Sequence, residues 1–168
     1  IEVYRHTDGS IKTRGVFRMG ENEGARKGLL KVEGDFLFRG YGDGLRGPYD
    51  SVFVIGYYGP SNRMEVVNGG KALIDNGGFT VARFTSSTGT VVYVGAESEL
   101  CVTNTEVANL GVRGAQTLFA VDGGSVNLLG ADRTVVGAYD TADGCRVELK
   151  NGALADMTRL VLGDAAAN

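Results

Sequence analysis

The stretch from Ile55 to Ala82, IGYYGPSNRMEVVNGGKALIDNGGFTVA, decides the fold. It holds two short apolar strands, each beside a glycine-bearing turn. Met64 and Val66 run into Val67-Asn68-Gly69-Gly70, and Phe79, Val81 and Ala82 form the second strand. A similar unit returns as VGAYDTADGCRVELKNGALADMTRLVLG, from Val136 to Gly163. Ile55 to Val81 is 26 residues, and Val136 to Leu162 is also 26. Neither strand can bury its apolar face alone, so a recurring unit this small marks a solenoid whose coils cover one another.

Working outward, the first strand of each coil is marked by a branched apolar residue ahead of an acidic residue or Asn and a glycine. The markers are Val3, Val32, Val67, Val94, Val121 and Leu149, at intervals of 29, 35, 27, 27 and 28. The second strand is marked by Met19, Ile55, Val81, Val112, Val136 and Leu162, at intervals of 36, 26, 31, 24 and 26. Both series predict about six coils with a period near 28 residues. No segment holds an i, i+3, i+4, i+7 apolar stripe over three turns, which argues against helices. Alternation of period two at Met64/Val66, Val92/Val94, Val147/Leu149 and Leu160/Leu162 predicts one buried face and one wet face per strand. Gly34, Gly69, Gly123 and Gly152 fall where the chain must turn, and Asn68, Asp122 and Asn151 just before three of them suit left-handed conformations. This Asn/Asp-Gly column could be a cation ladder, but turn chemistry repeated with the coil accounts for it.

Composition agrees. Glycine is 27 of 168 residues and proline only 2, with 43% apolar residues, so the chain is neither collagen nor a disordered linker. One domain spanning 1–168 is expected. Lys and Arg number 17 against 20 Asp and Glu, which favours neither nucleic acid nor an anionic membrane as partner. The balance shifts along the chain: residues 1–84 carry 12 basic and 10 acidic side chains (+2), and residues 85–168 carry 5 and 10 (−5). No apolar run reaches membrane-spanning length, so no membrane insertion by this segment is expected. The chain begins at Ile1 without a signal peptide, as expected of a processed or excised piece.

The long second interval locates an insertion at 39–50, RGYGDGLRGPYD, between two strands of its coil. Protruding loops are where repeat proteins carry individual function. The full pattern is an apolar strand with V-G, a short polar loop, N-x-apolar-x-V-x-N-G-G and a second apolar strand. IGYYGPSNRMEVVNGG carries it best, and VGAYDTADGCRVELKNGA follows it with Asp143 in place of the Asn. This pattern resembles the passenger repeats of autotransporter-type bacterial β-helix proteins. The resemblance covers most of the chain, more weakly before Gly28. It implies a right-handed parallel β-helix displayed at a bacterial cell surface or outside the cell, and it speaks to architecture and location more than to activity. The departures are Ala82-Arg83 where a glycine is expected and Gly95-Ala96-Glu97 in place of N-G-G.

Catalytic chemistry finds little footing. His6 is the only histidine, and neither a G-x-S-x-G elbow nor a Cys-His arrangement occurs. Cys101 and Cys145 match no metal or redox spacing and are expected free and packed. The enzymatic alternative is a polysaccharide lyase or glycoside hydrolase, since many parallel β-helices act on polysaccharides. Hydrolysis wants paired carboxylates, whereas the acids here are scattered singly. A lyase could draw on Arg39, Asp43, Arg46 and Asp50 of the insertion. Gly40–Leu45 superficially resembles a calcium-binding nonapeptide repeat but occurs once, and that motif works only by stacking. No cofactor and no metal are therefore expected. Tyr41, Tyr49, Tyr57 and Tyr58 gather in the second coil and its insertion, and Tyr139 holds the place of Tyr58 later on. With Arg39, Asp43 and Arg46 they form a candidate binding platform for glycan or a host or cell-surface protein. The sequence thus predicts a non-enzymatic structural or adhesive module. Because the repeat runs from Val3 to Leu162 without an evident cap, self-association end to end through the terminal coils is also expected.

Overall fold

The computed structural model describes residues 3–6, 12–14, 16–40, 53–76 and 78–163, the first two segments as backbone. Every regular element among them is a strand. The first coil comprises β1 (Val3–His6), β2 (Lys12–Arg14) and β3 (Phe17–Met19), and the second β4 (Leu29–Val32), β5 (Asp35–Arg39) and β6 (Phe53–Ile55). The third comprises β7 (Arg63–Val66), β8 (Lys71–Asp75) and β9 (Phe79–Val81), and the fourth β10 (Val91–Val94), β11 (Glu99–Thr103) and β12 (Thr105–Leu110). The fifth holds β13 (Leu118–Asp122), β14 (Ser125–Leu128) and β15 (Ala131–Val136), and the last β16 (Arg146–Lys150), β17 (Leu154–Met157) and β18 (Leu160–Leu162).

Strands in the same place on successive coils pair in parallel, giving three six-stranded sheets around one core. The chain is a parallel β-solenoid, and its four interior coils are covered from both sides. Each coil has three strands where two were expected. The missed one is the second, whose strands DFLFR, KALID, ELCVT, SVNL and LADM share no common residue at their ends. The ladders also correct three markers. Val32 pairs with Val66, not Val67, and with His6 rather than Val3. Val81 pairs with Leu110, not Val112. The Val66-Val67-Asn68-Gly69 turn holds one residue more than Val121-Asp122-Gly123, so counting from the turn shifts the register.

The core consists of columns running along the axis. In the third sheet Phe17, Phe53, Phe79, Ala108, Thr134 and Leu160 share one column. Phe17 stacks on Phe53 with centroids 4.8 Å apart, and Phe53 on Phe79 at 6.0 Å. Where the column narrows to Ala108, Phe119 from the first sheet comes edge-on to Phe79 at 6.4 Å. Large and small residues thus trade places between walls, keeping each layer full. Each fully buried apolar side chain of this kind contributes about 1.5–3 kcal/mol relative to exposure.

The expectation of one wet face per strand holds in the interior coils of the first two sheets, apart from the buried Ala120, and fails in the third. Val54, Thr80, Asn109 and Val135 occupy the outward column of the third sheet, yet all are buried. Val112 and Ala138, from the loops that follow this sheet, pack with Val107 and Val135 against its outer side. The reversal occurs at Gly20, Gly56, Gly111, Gly137 and Gly163, all with positive φ. Ala82 stands in the same column and is forced into the same left-handed conformation, φ 55°. The sequence departure at Ala82 is a change of residue without a change of backbone.

Candidate functional surface

Two regions carry groups that could act on something outside the chain. The first is the corner after the third sheet, where the loops of successive coils lie over one another. Three residues past the paired positions Ile55, Val81, Leu110 and Val136 stand Tyr58, Phe84, Arg113 and Tyr139. Tyr58 lies flat on Phe84, centroids 4.3 Å apart and planes 14° apart. Tyr57 meets both rings edge-on, at 4.8 Å and 5.0 Å. The Arg18 guanidinium covers Tyr57 at 4.4 Å, and that of Arg113 covers Tyr139 at 4.4 Å. Arg83 approaches Phe84 at 5.4 Å. The expected tyrosines are therefore joined by Arg18, Arg83, Phe84 and Arg113, which sequence reading did not single out. For Phe84 and Arg113 the signal was a shared offset of three residues from the third-sheet column, visible only once the register is known, whereas Arg18 and Arg83 stand at other offsets. The stacked faces of Tyr58 and Phe84 are turned to each other, so neither offers that face to a ligand.

Of the expected platform, Tyr57 and Tyr58 are together here, while Arg39 is elsewhere. Tyr41, Asp43, Arg46, Tyr49 and Asp50 lie outside the described residues. Arg39 ends β5 at the base of the insertion, where its Nε donates to Asp75 Oδ2 at 2.9 Å. Asn104 Nδ2 and Thr103 Oγ1 donate to Asp75 Oδ1 at 2.7 and 3.1 Å. Burial alone would raise the Asp75 pKa, but the hydrogen bonds from Asn104, Arg39 and Thr103, with the charge of Arg39, outweigh it. They hold the carboxyl below the usual carboxylate range.

Asp75 is one of a set. Asn68 Nδ2 donates to Glu33 Oε1 at 2.7 Å, and Asn151 Nδ2 to Asp122 Oδ1 at 2.5 Å. In all three cases an asparagine with positive φ reaches back to a carboxylate of the preceding coil. Asn68 and Asn151 adopt the left-handed conformation expected of them, followed by Gly69 and Gly152 in the same region, whereas Asp122 does not and only Gly123 takes it there. Gly70 is required for another reason, since a Cβ there would sit 2.4 Å from the Val32 carbonyl oxygen. Among the described residues no three His, Cys, Asp or Glu side chains are grouped to hold a metal. Cys101 and Cys145 are free. Cys145 packs against the core and donates to the Gly114 carbonyl at 3.4 Å. Burial, and then the charge of Glu99, raises the Cys101 thiol pKa.

The second region is the far face of the last coil. Leu149 continues the column of Val94 and Val121, and Leu162 that of Leu110 and Val136. Val121 is 0% exposed and Val136 7%, whereas Leu149 is 52% and Leu162 70% exposed. These are core positions open to solvent. No family model matches the chain, and neither a curated protein nor a solved structure gives a match.

Proposed function

We propose that this chain is a non-enzymatic structural or adhesive β-helix module, a segment of a rod of the bacterial surface, autotransporter-passenger type. The observation that carries the reading is how three carboxylates at the corner between the first two sheets and beyond are used. Glu33, Asp75 and Asp122 each hold an asparagine of the next coil, so their lone pairs tie coils together. Carboxylates used in this way are not free to act as a general acid and base. The tyrosines and arginines of the corner are likewise engaged with one another across coils. Location outside a bacterial cell rests on the resemblance of the repeats. In this reading the coils form the stalk, and the insertion with Tyr41, Asp43, Arg46 and Tyr49 makes contact with glycan or a host or cell-surface protein.

Incubation with a panel of polysaccharides, followed by reducing-end and unsaturated-product assays, tests the reading. No turnover is expected. Turnover that disappears in Asp43→Asn or Asp50→Asn would contradict it and make the chain a polysaccharide-processing enzyme.

A further inference from the structure

We infer that Asn68 and Asn151 are modification sites, at which loss of side-chain ammonia turns two of the ties between coils into pairs of like charge. The inference rests on the ties alone and goes beyond the functional reading above. Both asparagines precede a glycine, Gly69 and Gly152, and all four residues are exposed. Among the described residues, chain neighbours aside, no atom lies within 4 Å of the place a Cβ would take on either glycine. The glycine nitrogen is therefore open to attack the asparagine side chain. The N–Cγ bond forms, the Cγ–Nδ2 bond breaks, and the glycine amide proton leaves with Nδ2 as ammonia. Water then opens the cyclic imide at either of its carbonyls, leaving aspartate or isoaspartate.

The fold sets these sites apart from other asparagines. Asn104 makes the same kind of tie to Asp75. The next nitrogen, however, is that of Thr105, which donates to the Gly130 carbonyl at 3.0 Å and carries a stiff β-branched side chain. Asn62 and Asn109 are buried, and the nitrogen after Asn62 donates to the Gly28 carbonyl at 2.8 Å. Gly69 N–H, by contrast, donates to the Ser98 hydroxyl at 3.2 Å. Asn76 also precedes a glycine, but Gly77 lies outside the described residues.

What each side chain faces gives the change its effect. Asn68 Nδ2 is 2.7 Å from Glu33 Oε1, and Asn151 Nδ2 is 2.5 Å from Asp122 Oδ1. An amide donates there, whereas a carboxylate only accepts and adds a second negative charge. Lys31 Nζ, 2.8 Å from the same Glu33 oxygen, would then be one cation between two carboxylates. Isoaspartate also routes the main chain through Cβ, lengthening a turn held at φ 56° and 77°. Each event removes a link between one coil and the next without cutting the chain.

Incubation of the 168-residue chain in mildly alkaline buffer, followed by peptide mapping, tests the chemistry. Asn68 and Asn151 are expected to convert, each to a mixture of aspartate and isoaspartate, while Asn62, Asn104 and Asn109 stay intact. Absence of conversion at Asn68 and Asn151, or conversion of Asn104 at the same rate, would overturn the inference. Urea denaturation of Asn68→Asp, alone and combined with Glu33→Gln, tests the consequence. Asn68→Asp is expected to lower the midpoint, and Glu33→Gln to restore it, because the glutamine amide can donate to the new carboxylate. No drop, or the same drop in both backgrounds, would overturn the like-charge pairing. Polysaccharide turnover by the chain would sink the structural function and leave both of these results standing.

Discussion

The fifth coil and the last coil carry similar residues in the same columns and differ in what lies beyond them. Val121 and Leu149 are neighbours in one ladder of the first sheet, as are Val136 and Leu162 in the third. Two of these four are core residues and two are surface residues, although leucine is the more apolar by one methylene. In a solenoid, burial is a property of position in the stack. Stability is accordingly the sum of what each coil makes with its two neighbours, and a terminal coil makes half of that.

The largest expected effect pits the two coils against each other in one column. Val121→Asp places an unpaired charge between two covered rungs and should cost several kcal/mol, comparable to the whole stability of a marginal domain. Leu149→Asp should cost no more than about 1 kcal/mol at low concentration, because the side chain already meets water. Urea denaturation of the two variants measures both. Similar losses would mean that the last coil is as well covered as the fifth.

A smaller effect concerns the ties between coils. The Asp75 carboxyl has its pKa lowered in the fold, so it contributes stability that is present above its ordinary value of 3.8 and lost as pH falls through the folded value. Asp75→Asn should therefore flatten the acid limb of a stability profile below about pH 4 and leave the slope between pH 5 and 7 unchanged. The loss at neutral pH should be on the order of 0.2–1 kcal/mol, since Arg39 is largely exposed. An unchanged acid limb would show that the tie carries no weight.

The smallest effect is expected at Ala82. A left-handed alanine costs about 1–2 kcal/mol. Removing its buried methyl forfeits about 0.8 kcal/mol, and glycine loses roughly 0.5–1 kcal/mol more in chain entropy. Ala82→Gly should thus change stability by less than about 1 kcal/mol, read by thermal melting. A large loss would mean that this methyl matters to the packing of the neighbouring loop, where Gly114 comes close to it.

The period was legible because apolar residues recur beside glycine-bearing turns in every coil, although the markers Val3, Val67 and Val112 lie off the true columns of the first and third sheets. The second sheet was not, because ELCVT and KALID begin and end in polar or charged residues and follow turns of different length. The double burial of the third sheet was hidden by the shortness of FVI and FTV, three residues being too few to display a period. At the corner, Tyr57 and Tyr58 were visible as a cluster in sequence. Their partners Arg18 and Phe84 were not, because stacking between coils joins residues a full coil apart and depends on a register that the turns obscure. Which leucines of the last coil are exposed follows only from the ladders.

The central claim is that burial in this solenoid is set by position in the stack, and amide hydrogen exchange tests it most directly. In dilute solution the outward-facing amides of β16, β17 and β18 should exchange fast while those of β7 to β15 are protected. Last-coil amides that are as protected as those of the interior would contradict the account.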